Sequence, residues 1–323
     1  MAATRAPLDA TRWHLQHGPI DLIIGAEGDA TAVKEAHDAC WQRFAGVLDE
    51  LVAELRLLKK PMPHAATADS NERLCKGHIA SRMWNACYPY RTHYITPMAA
   101  VAGSVADELI GAFARPGVTR AFINNGGDIA LYLTERERYR IGVFADLSKL
   151  QGARLASGRP LDANLSLDAS MPVRGIATSG WRGRSFSLGI ADSVTVMARN
   201  AAMADAAATM IANAVNLEHT GVVRRPASSL KDDSDLGDLL VTVDVPPLPQ
   251  ALIDRALACG VREANRLRVQ GLIEGAALFL QSSARVVGMN ESDKTLPGQN
   301  SGTRLTHDSH HAMEAPCSKY AAC

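Results

Sequence analysis

The stretch ADAAATMIANAV, Ala204–Val215, is almost wholly small and aliphatic, yet it carries one carboxylate and one hydroxyl, Asp205 and Thr209. Four residues apart on a helix, the two stand on one face. Two readings follow from that spacing. Thr209 bonds back to the carbonyl one turn earlier while Asp205 faces water. Alternatively, the two oxygens share a hard divalent cation such as Mg²⁺, which takes oxygen ligands.

Two glycine turns offer further chemistry. INNGGDIALYL sets two β-type runs on either side of Asn, Gly and Asp, which reads as a hairpin whose glycines take positive φ. Such a turn also lets a phosphate or a ring come close to the main chain, so Gly126, Gly127 and Asp128 are candidate ligand contacts. GIATSG ends a strand with Thr178, Ser179 and Gly180, two hydroxyls at a loop edge. An ordinary strand-ending turn explains it equally well. The chain contains no GxSxG, Walker loop or GxGxxG, which argues against a serine hydrolase, a P-loop enzyme and a dinucleotide-binding Rossmann unit.

The elements that must position these groups are partly legible. RWHLQHGPIDLIIGAEG reads as an early strand or hairpin. From Ala30 to Lys60 apolar residues recur every three or four positions, which predicts one long amphipathic helix ended by KKPMP. Residues 61–95 give no clear pattern. TPMAAVAGSVADELIGAFARPG has proline early and Pro-Gly after its end, the signals of a helix. TRAFI, IALYL, RYRIGVFA and GIATSG read as strands, SFSLGIADSVTVMA as one or two more, and LLVTVDV as a late strand. PQALIDRALACGVREANRLRVQGLIEGAALFLQSSARVV is expected to be helical with glycine interruptions. Strands and helices do not alternate regularly, so the expected class is α+β. The small-residue helices carrying Asp107 and Asp205 echo one another, as equivalent elements of two related halves would.

Composition sets the outer limits. Among 323 residues, 34 Lys and Arg balance 34 Asp and Glu, so no global field draws the chain to nucleic acid or to a membrane. No apolar stretch is long enough to span a bilayer. The start lacks the basic flank and apolar run of a signal peptide. The six cysteines form no metal spacing, so reduced thiols in a cytoplasmic protein are expected. Residues 1–287 are expected to form a single α+β domain of two halves. Residues 288–323 are polar and aperiodic and are expected to be a disordered tail; the His and Cys residues in it have no fixed ligand spacing.

Taken in order, TPMAAVAGSVAD, NNGGDIAL, GIATSG, ADSVTV and AAMADAAATMIANAV resemble the ApbE-like superfamily, whose named members are FAD:protein FMN transferases. Closer still is the resemblance to an uncharacterised prokaryotic branch of unknown function. It covers roughly Thr96 to Asn216. The resemblance implies an α+β fold of two T-fold-like units, antiparallel sheet packed with small-residue helices. It implies Mg²⁺ held by Asp205 and Thr209 with backbone oxygen from the helix containing Gly103. It further implies FAD or FMN as ligand, lined by Gly103, Gly126, Gly127, Asp128, Thr178, Ser179 and Gly180. Two positions depart from the transferases. Ala102 stands where they have lysine, and WRGRSFSLG, with Arg182 and Arg184, replaces their histidine segment. The expectation is a Mg²⁺-dependent enzyme acting on a flavin, nucleotide-like or other small-molecule substrate, transferring FMN poorly. A hydrolytic or ring-opening enzyme on the same fold, or a non-catalytic flavin-binding protein, is the alternative. The expected partners are a small molecule and, for assembly, further copies of the chain.

Overall fold

The structure, a computed structural model, describes residues 2–64, 75–143 and 163–288. The chain divides into two compact units. The first comprises Met1–Tyr139, Leu167–Ala177 and Met197–Ala206; the second comprises Arg140–Ser166, Thr178–Val196 and Ala207–Cys323.

In the first unit, strands β1 (Thr4–Pro7), β2 (Arg12–His17), β3 (Ile20–Gly28), β4 (Val118–Asn125), β5 (Asp128–Leu133) and β8 (Gly175–Ser179, its last two residues assigned to the second unit) lie side by side in that order. Successive neighbours run antiparallel. The β2–β3 hairpin closes at Gly18–Pro19, where Gly18 adopts φ of 58°, a conformation that costs glycine no Cβ clash. β4 alternates buried and half-buried side chains, with Ala121 and Ile123 fully enclosed, the period of a strand with one face on a core.

The helices of this unit are α1 (Ala30–Phe44), α2 (Val47–Ala53), α3 (Leu55–Leu58), α4 (His78–Cys87) and α5 (Val101–Ile110). Asp29 caps α1, its carboxylate accepting from the Thr31 and Ala32 amides at 3.0 Å each. The long helix expected over Ala30–Lys60 is three shorter ones. Gly46 interrupts it after Phe44, and Glu54, at φ −110°, breaks it again before Leu55. Within residues 61–95 lies α4, followed by a 3-10 turn over Tyr88–Tyr90; residues 65–74 lie outside the described residues. Leu22, Ile24, Phe44, Ile79, Met83, Val105, Leu109, Phe113 and Ile123 make the core.

The second unit contains β9 (Ser193–Ala198, its last two residues assigned to the first unit), which neighbours β12 (Gly275–Leu280); β12 pairs antiparallel with β13 (Ser283–Val287). β10 (Val223–Pro226) and β11 (Leu240–Asp244) form a small antiparallel sheet. β6 (Arg138–Val143) and β7 (Ala163–Asp168) form another pair, with Arg138–Tyr139 and Leu167–Asp168 assigned to the first unit. Helix α6 (Ala201–Ala214) begins in the first unit and continues in the second, and α7 (Gln250–Val269) packs on β12 and β13.

The late helical expectation fails after Val269. Gly271, at φ 69°, ends α7, and GAALFL becomes β12, with all six residues buried. A run apolar on every side fits a strand buried on both faces as well as a helix. SFSLGIADSVTVMA yields one strand, β9, within the one or two expected, its first half being loop. Antiparallel sheet combined with helices is the α+β class.

Cys40, Cys75 and Cys87 are buried free thiols. Burial pushes Cys40 up to about 12 and Cys75 to about 11. Cys317 and Cys323 lie outside the described residues. Among the described residues no helix is long and apolar enough to cross a membrane. The expected tail lies, from residue 289 onward, outside the described residues, together with its His and Cys groups.

Candidate functional site

The first unit brings together the two small-residue helix starts. Gly103, on α5, lies so close to α6 that a Cβ there would stand 2.3 Å from the Ala201 carbonyl oxygen. Only glycine permits that approach. The aspartates of the two helices then cross. Asp205, from α6, accepts the Gly103 amide of α5 on Oδ2 at 3.0 Å. Asp107, from α5, accepts the Ala201 and Ala202 amides of α6 on Oδ1 and Oδ2, at 2.9 and 2.8 Å. Each helix therefore caps the first turn of the other, where backbone N–H groups have no partner within their own helix and the helix dipole favours negative charge.

The Gly126–Gly127 turn reaches the same place. Its glycines adopt φ of 65° and 117°, and Asn125 pairs with Asp128 across the hairpin. Asn124 Oδ1 accepts the Gly127 amide at 2.8 Å, and buried Asn125 donates from Nδ2 to the Ala102 carbonyl at 3.1 Å. The turn is thus tied to the start of α5. A Cβ on Gly127 would meet nothing within 4 Å, so the main chain there is open to approach. Gly175, on β8, closes the other side against Asn200 and Ala201, at a spacing that excludes a Cβ.

Three carboxylates consequently share this region. Burial raises the Asp205 carboxyl well above its ordinary range, the Asp128 charge adds to the rise, and the Gly103 and Ala102 amides oppose it; Asp107 contributes a smaller repulsion. Asp107 is raised by burial, against the pull of the Ala202 and Ala201 amides and the Arg82 charge. Along α6, Ala204, Ala206, Ala207 and Ala208 are buried, whereas Asp205 and Thr209 both lie on a half-buried stripe. Their predicted common face is present. Among the described residues no group of three or more His, Cys, Asp or Glu stands where it could hold a metal ion.

The second unit arranges the Thr-Ser-Gly segment differently. Thr178 and Thr195 hydroxyls lie 2.9 Å apart, and Ser179 is half-buried. Gly180 is pressed against the chain: a Cβ would lie 2.4 Å from the Asp192 carbonyl oxygen. Buried Asp192 collects the Trp181 indole N–H at 3.1 Å, the Gln281 amide and the Arg182 guanidinium at 3.2 Å. Arg182 also lies over the Trp181 ring, 4.9 Å from its centroid, while Arg184 is exposed. Sequence reasoning placed no role on Asp107 or Asp192. For Asp107 the echo between the two helices was the available signal. For Asp192 it was a lone carboxylate inside the apolar run GIADSVTV, which burial obliges to find partners.

A family model described as AbpE bacteria matches residues 4–291. The chain belongs to this family. The membership is the ApbE-like one that the ordered motifs predict. Among curated relatives, a UPF0280 protein of Methanothrix thermoacetophila is 33% identical over 193 residues, which are 54% of this chain and 70% of that protein. One from Methanosphaerula palustris is 37% identical over 176 residues, with 50% of this chain and 66% of the relative covered. One from Methanococcoides burtonii is 37% identical over 129 residues, covering 40% and 49%. The chain thus spans about half to two thirds of the curated relatives it matches. A solved structure titled as an ApbE protein from Thermotoga maritima aligns with a TM-score of 0.40 and 11% identity, over 85% of this chain and 93% of that one.

Proposed function

We propose that this family member is a Mg²⁺-dependent enzyme acting on a flavin, nucleotide-like or other small-molecule substrate, and a poor FMN transferase. The observation that carries the reading is the meeting of Asp205 with the open Gly126–Asp128 turn in the first unit. Asp128 repels a carboxylate already penalised by burial, and a divalent cation would relieve both penalties. The donor set suits a hard ion. Mg²⁺ keeps several waters and takes one or two carboxylates, and Asp205, with Thr209 one turn along the same helix, would hold it.

Bound there, Mg²⁺ would stabilise negative charge on a phosphoryl group of the substrate. The chain's own contribution is positional. The Gly103 amide fixes the Asp205 carboxylate through Oδ2, and Asn124 and Asn125 fix the turn whose bare Gly127 lets a phosphate or ring approach the backbone. A cytoplasmic setting and self-association belong to the same reading.

The alternative, hydrolytic or ring-opening chemistry or flavin binding without catalysis, is favoured by two observations. Ala102 supplies no cation beside Gly103, and Arg182 is engaged by Asp192. Loss of one well-placed electrostatic contact costs about a hundredfold or more in rate. Two measurements test the proposal. Calorimetric titration with Mg²⁺ is expected to give binding by the wild type and none by Asp205→Ala; equal binding by both overturns the metal assignment. Incubation with FAD, Mg²⁺ and a flavinylatable acceptor protein is expected to leave the acceptor with little covalent FMN. Efficient labelling would make the protein a true FMN transferase.

A further inference from the structure

His37, on α1, is a buried imidazole in the first unit. Its ring packs edge-on against Phe113, with centroids 5.1 Å apart, and tilted against Trp13 of β2 at 6.1 Å. Only 6% of the residue is exposed, and Nε2 has no hydrogen-bond partner. Just outside this aromatic enclosure sits Arg5 of β1. Its guanidinium lies over the Trp13 ring at 4.1 Å and pairs with Asp38 of α1 at 2.9 Å. Among the described residues β1 is an edge strand whose only strand neighbour is β2, and Arg5 joins it to α1 through Asp38, beside the Trp13–His37 packing of β2 on α1.

We propose that His37 is an acid-sensitive latch, holding β1 and the Trp13 end of β2 against α1 while neutral and releasing them when its ring takes up a proton. A protonated ring would be a buried cation, with Nε2–H donating to nothing and the Arg5 cation close by. Burial and Arg5 both disfavour that state, Asp38 favours it less strongly, and together they bring His37 down to about 4. Lys34 of α1 also pairs with Asp38, at 2.9 Å, and several charged groups on elements packed against α1 are engaged elsewhere. Glu27 of β3 pairs with Arg120, Glu108 of α5 and Glu50 of α2 pair with Arg43, and Arg115 faces Glu35. On β2, Arg12 pairs with Asp9 and His14 with Asp21, while His17 meets Phe44.

The sign follows from where the proton goes. An opened segment exposes an ordinary imidazole, which protonates near 6.5, whereas the closed one resists protonation until about 4. The open state therefore binds more protons between these values, and the latch is fully effective above the upper one and weakens as pH falls. Opening is expected to rise about 30-fold between pH 7.5 and pH 5.

Amide hydrogen exchange of the full chain at pH 7.5 and 5, corrected for the intrinsic pH dependence of exchange, tests this. Peptides covering Thr4–His17 should lose protection at pH 5 by about that factor, and His37→Leu, which fills the site but does not titrate, should abolish the difference. Should His37→Leu not fold, His37→Gln serves the same comparison. Unchanged wild-type protection, or the same loss in a folded non-titrating variant, overturns the proposal. So does an NMR titration of the wild type that finds His37 protonating in the native state near 6.5.

Discussion

The two glycine turns look alike in sequence and are built for different ends. At Gly126–Gly127 glycine supplies backbone conformation: φ is positive at both residues and the space around Gly127 is open. At Gly180 it supplies proximity, because the Asp192 carbonyl occupies the place of a side chain. Gly103 is of this second kind, pressed against Ala201. A glycine in a motif is thus no evidence of a ligand by itself. Of the glycines grouped as cofactor contacts, Gly127 leaves the backbone approachable, whereas Gly103 and Gly180 do not.

Alanine substitution sharpens the contrast. Gly103→Ala and Gly180→Ala each drive a methyl into backbone that cannot swing aside, so each is expected to destabilise by about 3 kcal/mol, the upper end of ordinary overpacking. In a chain of this size that lowers the melting temperature by roughly 4–6 °C. Thermal denaturation followed by circular dichroism reads it, and a loss under about 1 kcal/mol at either position would mean the backbone there yields.

Removing a crossed cap comes next. Asp107→Ala strands the amides of Ala201 and Ala202 and is expected to cost about 2 kcal/mol, while Asp107→Asn, which keeps an acceptor, costs less. Equal losses would show that the charge rather than the acceptor matters. Gly127→Ala should be mildest, about 1 kcal/mol of left-handed strain with no clash. If it matches Gly180→Ala in thermal denaturation, the distinction between the two turns collapses.

How much of this was legible follows the same division. Of the three hairpins of the first unit, β2–β3 and β4–β5 could be read from Gly-Pro and Gly-Gly between β-type runs, since turn chemistry is local, whereas β1–β2 was not read. Although its Asp29 cap was not singled out, the start of α1 was legible from the apolar repeat beginning at Ala30. The breaks at Gly46 and Glu54 were not, because the hydrophobic period continues across them, and Arg43 of α1 reaches both Glu50 and Glu108. GLIEGAALFL was misread because burial on both faces erases the period that separates strand from helix. At the site, the spacing of Asp205 and Thr209 gave the shared face correctly. What spacing could not give was the partner of Asp205, an amide 102 residues earlier, or the role of Asp107.

That crossed arrangement has a consequence for how the chain reaches its structure. The capping partners are 94, 95 and 102 residues apart, so neither helix start can be completed while its own segment is all that has formed. The entropy of closing so long a loop must be met first, and contacts of such separation belong to slow-folding topologies. Until closure, α5 and α6 are uncapped stretches of small residues with frayed first turns. Afterwards the two starts stand or fall together, and the order in which the chain is synthesised leaves α5 waiting for its cap until Asp205 has been made.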